Sequence, residues 1–136
     1  MTTIVGVWVD HREAILVKHS ESGDETVRIQ SGAERQLRRS SENPTGSHEP
    51  QNVPSDDVRN HKFTAELNQF YDAVIVSLGH PKSILIFGPG EAKGELRKRI
   101  DEKKIHTEEI AVETADRMTE AQVVARVRQY LASTIR

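Results

Sequence analysis

Two short stretches carry the residue types and spacing that could do chemistry: "VWVDHREA", in which Asp10 ends the first apolar run, and "IFGPGEAKG", a glycine-rich turn ending a later one. A carboxylate at the end of a strand, as at Asp10, is where a divalent metal could be held for phosphodiester hydrolysis. That chemistry needs further acids converging on one point, because two cations must each be held by several oxygens. The run "SILIF" (83–87) supplies none, which leaves Glu91, Glu113 and Asp116 as the nearby acids. The other reading is that Asp10 closes a turn with His11 and Arg12 by accepting turn amides, with Arg12 as its ion-pair candidate. We prefer it, so no catalytic residue is assigned. No metal site is expected either, because the six histidines show no ligand spacing and the chain has no cysteine. A Gly-x-Ser-x-Gly elbow is also absent.

The "GPGEAKG" turn (88–94) poses a second question, whether it binds an anion or only turns the chain. A phosphate loop requires G-x-x-x-x-G-K-[ST], and a dinucleotide turn requires G-x-G-x-x-G after the first strand. Neither pattern fits. Pro89 removes an amide donor, and Glu91 already sets negative charge at the positive end of the following helix. Gly88 and Gly90 are expected to serve the turn itself. Lys93 and Arg97, in the basic helix that follows, remain candidates for contact with an anion or an RNA backbone, together with Arg35, Arg38 and Arg39 of "RQLRR".

These candidates need a scaffold, and 136 residues suffice for one domain with a real core, so a single domain over 1–136 is expected. A net charge of -2 provides no global field to attract nucleic acid or membrane, so any polyanion site must be a local patch. The first apolar run meets Asp10 too early for a secretory signal, and no run approaches the roughly 20 residues that span a bilayer. A soluble, cytoplasmic protein with no membrane partner and no cofactor is expected.

Along the chain, "TIVGVWVD" and "EAILVKH" (13–19) read as a hairpin, and "TVRIQ" (26–30) reads as a third strand after a turn at 20–25. A long mobile loop is expected at about 31–58, where three of the five prolines fall and apolar residues nearly vanish. Phe63, Leu67, Phe70, Val74 and Leu78 then mark one face of a helix that Gly79 ends. "SILIF" is apolar throughout, as in a strand covered on both faces. Ala92, Leu96 and Ile100 mark a helix over about 91–104, and "EEIAVET" (108–114) is a fifth strand. The last helix starts near Thr119, where Thr119 and Gln122 form a capping box.

The order β-β-β-α-β-α-β-α closes most simply as a mixed five-stranded α/β sheet with helices on both faces, the ribonuclease H-like plan. In that plan strand 4 lies beside strand 1. The Asp10 turn, the long loop, Gly88–Lys93 and Glu113–Asp116 then share the carboxyl edge of the sheet, where open α/β sheets bind ligands.

Three blocks, "VWVDHREAILV", "FYDAVIVSLGHPKSILIFGPGEAKGELRKRI" and "VETADRMTEAQVVARVRQYL", resemble small bacterial translational-machinery-like proteins related to the middle domain of class-1 release factors and of Pelota. The resemblance covers most of the chain outside residues 32–58. In release factors of this fold, the loop after the third strand carries a Gly-Gly-Gln tip that promotes peptidyl-tRNA hydrolysis. Here that loop holds Gln36, Gln51, Gly32 and Gly46 but no Gly-Gly-Gln. Pelota also lacks the tip and binds stalled ribosomes. The resemblance therefore implies a non-catalytic module with a ribosome or tRNA as partner. A metal-dependent nuclease or hydrolase at Asp10 and a self-associating interaction domain, such as a homodimer, are the alternative readings.

Overall fold

A computed structural model describes residues 4–32 and 56–134. Three strands come first: β1 (Ile4–Val9), β2 (Glu13–Ser20) and β3 (Gly23–Gln30). Helix α1 (Asp56–Leu78), strand β4 (Ser83–Gly88), helix α2 (Ala92–Glu102), strand β5 (Glu109–Thr114) and helix α3 (Glu120–Thr134) follow. The strands form one sheet in the order β3-β2-β1-β4-β5. β1 pairs with β2 antiparallel and with β4 parallel, in a register that sets Trp8 opposite both Ile15 and Phe87. This is the mixed sheet that the element order predicts, with strand 4 beside strand 1.

The strand sequences explain their places. All six residues of β1 and all six of β4 are buried, which matches their unbroken apolar runs and their central positions. Successive side chains alternate between two cores. Val5, Val7, Val9, Ile84 and Ile86 meet Leu67, Phe70 and Val74 of α1 and Leu96 and Ile100 of α2. On the opposite face Ile4, Trp8, Leu85 and Phe87 meet Val123, Val127 and Tyr130 of α3. Each such buried side chain contributes about 1.5–3 kcal/mol through removal from water, which makes this two-sided burial the main force holding the layers together.

Local signals set the helix limits. Thr119 Oγ1 accepts from the Gln122 amide at 3.2 Å, and Gln122 Oε1 accepts from the Thr119 amide at 2.9 Å, which closes the expected capping box of α3. Ala92, Leu96 and Ile100 are the buried residues of α2, as their four-residue spacing requires.

Two boundaries differ from the sequence reading. β3 starts at Gly23, so Gly23, Asp24 and Glu25 belong to the strand and not to the preceding turn. The cause is an edge position: those residues are exposed and need no apolar alternation, while the register pairs Asp24 with His19 and their side chains bond at 2.6 Å. Helix α1 begins at Asp56, so residues 56–58, expected at the end of the long loop, are helical. Most of the segment expected as a loop at about 31–58, with Arg35, Arg38 and Arg39, lies outside the described residues. Among the described residues no helix is long and apolar enough to cross a membrane.

Candidate functional site at the carboxyl edge of the sheet

Two turns meet at this edge. In the β1–β2 turn, Asp10 Oδ1 accepts from the amides of Arg12 and Glu13, each at 2.8 Å, and the Asp10 amide donates to the Glu13 carbonyl at 3.0 Å. The carboxylate is thus a turn-closing group, which accounts for an acid at this position on structural grounds alone. Ser31, just beyond β3, fixes the same turn from the side: its amide donates to the Arg12 carbonyl at 2.8 Å and its hydroxyl donates to the His11 carbonyl at 2.5 Å. The second turn leaves β4 through Gly88, Pro89 and Gly90 and enters α2.

Between the turns lies a cleft of about 220 Å³ lined by Asp10, His11, Arg12, Pro89, Gly90, Glu91 and Ala92. Pockets for nucleotides and similar ligands measure roughly 300–1,000 Å³, so this one has room only for a smaller group. Among the described residues no group of three His, Asp or Glu is arranged to hold a metal ion.

A polar junction stands behind the cleft. Glu95 Oε1, on the first turn of α2, accepts from the Tyr71 hydroxyl at 2.6 Å and lies 3.0 Å from His11 Nε2. The His11 ring meets Phe63 edge-on, with centroids 5.9 Å apart. One carboxylate oxygen thereby joins α1, α2 and the β1–β2 turn. Burial, and then the hydrogen bond to the Glu95 carboxylate, push the Tyr71 phenol well above its usual range. It therefore stays protonated and remains a donor. The sequence reading names neither Glu95 nor Tyr71, yet a buried tyrosine hydroxyl demands a partner, and that demand was the available signal.

The other candidates are spread out. Lys93 Nζ donates to the Gly90 carbonyl, so its cation braces the turn that precedes its own helix. Arg97 pairs with Asp101 one helical turn on, at 3.2 Å, and does not line the cleft. Glu113, at the end of β5, is bound by Arg126 of α3 and is not gathered with Asp10. The neighbouring Asp116 holds the buried Trp8, whose indole N–H donates to the Asp116 carbonyl at 3.1 Å. The structure therefore collects Asp10, His11, Arg12 and Gly90 around the cleft, while Gly88, Arg97 and Glu113 are not among its lining residues.

An ion pair locks α1 to α2 on the same side of the sheet. Arg99 donates to both oxygens of Asp72, at 2.8 and 2.9 Å, with Lys103 Nζ 3.8 Å away. The Arg99 hydrogen bonds hold the Asp72 carboxyl below its usual range. A lowered folded-state value means a contribution that is present above the ordinary carboxylate range and is lost as pH falls through the folded-state value. Since the pair is partly exposed, its size is discounted to about 0.5–1 kcal/mol. Asp72→Asn should therefore melt below the wild type at neutral pH, and the gap should close in acid. Thermal melts at several pH values check this.

No family model matches the chain, and no curated protein matches it. Solved structures do. The Thermoplasma acidophilum Pelota protein aligns over 94% of this chain and 32% of its own, with a TM-score of 0.53 and 18% identity. Archaeoglobus fulgidus Pelota aligns over 98% of this chain and 36% of its own, with a TM-score of 0.50 and 13% identity. An archaeal translation termination factor aligns over 98% and 42%, with a TM-score of 0.46 and 15% identity. The chain thus shares its fold with part of Pelota and spans about a third of the length of those two Pelota proteins.

Proposed function

We propose that this chain is a non-catalytic module of the translation machinery that works in the cytoplasm by contacting the ribosome or a tRNA. The observation that carries the reading is the fold shared with Pelota over 94% and 98% of the chain. The sequence resemblance, which implies ribosome or tRNA association without hydrolysis, points the same way. The state of the edge residues adds support. Asp10 is engaged by turn amides, and Glu95 is engaged by Tyr71 and His11, so these acids have structural roles that need no substrate.

Fractionation of a cell lysate on a sucrose gradient tests the proposal. At low salt the chain should sediment with ribosomal particles, and more of it should do so when elongation is stalled. Confinement to the top of the gradient under both conditions would count decisively against it.

A further inference from the structure

The open edge of β5 has a self-complementary sequence. Its residues 109–113 read Glu-Ile-Ala-Val-Glu, which is symmetric in residue character about Ala111. Among the described residues β5 is the last strand of the sheet, so one side of its backbone has no neighbouring described strand. Ala115, just past the strand, donates its amide to the Gly88 carbonyl on the β4 side. Backbone groups alternate along a strand, which turns the amides and carbonyls of Ile110 and Val112 outward. Val112 is 41% exposed, one of two large apolar side chains that stand out to solvent among the described residues. Edge strands are normally blunted by charged side chains, lysine above all, by proline or by a bulge; residues 109–113 contain neither lysine nor proline, and their two acids, Glu109 and Glu113, are engaged by Tyr130 and Arg126.

We infer that β5 pairs antiparallel with β5 of a second copy of this chain, about a two-fold axis at Ala111, to form one continuous sheet across a homodimer. An isologous contact must be complementary to itself, and this register meets that requirement on both faces. On the α2 face Ile110 of each copy lies opposite Val112 of the other, so the exposed valine becomes covered. On the α3 face Glu109 comes opposite the second copy's Glu113. That acid pairing does not leave like charges alone, because Glu113 already binds Arg126, whose guanidinium has further N–H donors for the incoming Glu109. Glu109 is itself steadied by the Tyr130 hydroxyl at 2.8 Å. The opposite edge is less suited: β3 reads Gly-Asp-Glu-Thr-Val-Arg-Ile-Gln, which has no such symmetry, and its Arg28 is tied to Glu13 and Glu120.

Sedimentation equilibrium combined with cross-linking tests the inference. The wild type should be dimeric at high concentration and dissociate on dilution. Val112→Lys, which sets a cation against the second copy's Ile110, should be monomeric while keeping the wild-type circular dichroism spectrum. The chain has no cysteine, so Ala111→Cys introduces a single thiol. Across the axis it should meet its counterpart at a distance that a disulfide can span, and oxidation should yield a covalent dimer. Glu25→Cys, on the β3 edge, should not cross-link. A wild type that stays monomeric with no Ala111→Cys cross-link overturns the inference. So does a dimer that survives Val112→Lys or cross-links through Glu25→Cys instead.

Discussion

Gly88→Ala is expected to destabilise the fold by about 3–5 kcal/mol, from overpacking and backbone strain together, whereas Gly90→Ala should cost only about 1 kcal/mol. The two glycines sit two residues apart in one turn and both have positive φ, 147° at Gly88 and 65° at Gly90. Their surroundings separate them. A Cβ at Gly88 would lie 2.3 Å from the Val9 carbonyl oxygen, while a Cβ at Gly90 would meet nothing within 4 Å. The obstacle at Gly88 is backbone in a fully buried strand, so it cannot rotate away. Relief would require β1 and β4 to part at the end of their ladder, beside the Asp10 turn. Single domains are stable by only about 5–15 kcal/mol, so Gly88→Ala should melt far below the wild type. Denaturant titration of both variants measures the difference, and equal losses would show that backbone angle alone governs the turn.

A second large effect is expected at Gly6, and it should be reversible by a partner change. Gly6 lies mid-strand in β1, opposite Val17 and Leu85, on the face covered by α3. A Cβ there would fall 2.1 Å from Cγ2 of Val127, so the missing side chain is what lets α3 seat against the sheet. Gly6→Ala should cost about 2–3 kcal/mol, as overpacking of a dense core does. Val127→Ala alone should cost about 1.5–2 kcal/mol for two lost methyl groups. In the double variant the new methyl occupies space that Val127 vacates. Its cost should fall short of the sum by about 1 kcal/mol or more, the mark of residues in direct contact. Strict additivity in unfolding measurements would mean that α3 docks by some other contact.

These two glycines show how far a sequence can be read. That Gly88 ends a buried strand was legible, because an unbroken apolar run met Gly-Pro-Gly. That Gly6 spaces a helix was not, since its contact, Val127, is 121 positions away and no local pattern links them. The same divide runs through the candidate site. Asp10 as a turn-closer followed from chemistry within three residues, and the hydrogen bonds to Arg12 and Glu13 are of that local kind. Glu95 depends on His11 and Tyr71, both far off in sequence, so only the fold could assemble that junction. Lys93 illustrates a different limit: its place in the sequence announced a cation near a helix start, not the Gly90 carbonyl to which it donates. Apolar runs and stripes were the surest guide where their side chains are fully buried, as in β1, β4 and the Ala92, Leu96 and Ile100 stripe of α2, and the poorest at the exposed start of β3, where nothing apolar marks the strand.

The proposal that this chain serves the translation machinery is tested most directly with purified components. Ribosomes and the chain are mixed, sedimented through a sucrose cushion, and the pellet is assayed for the chain over a series of salt concentrations. Saturable co-sedimentation at low salt that weakens as salt rises is the predicted result, because contact with ribosomal RNA releases counterions. A chain left wholly in the supernatant at low salt, with vacant and with stalled ribosomes alike, would contradict it.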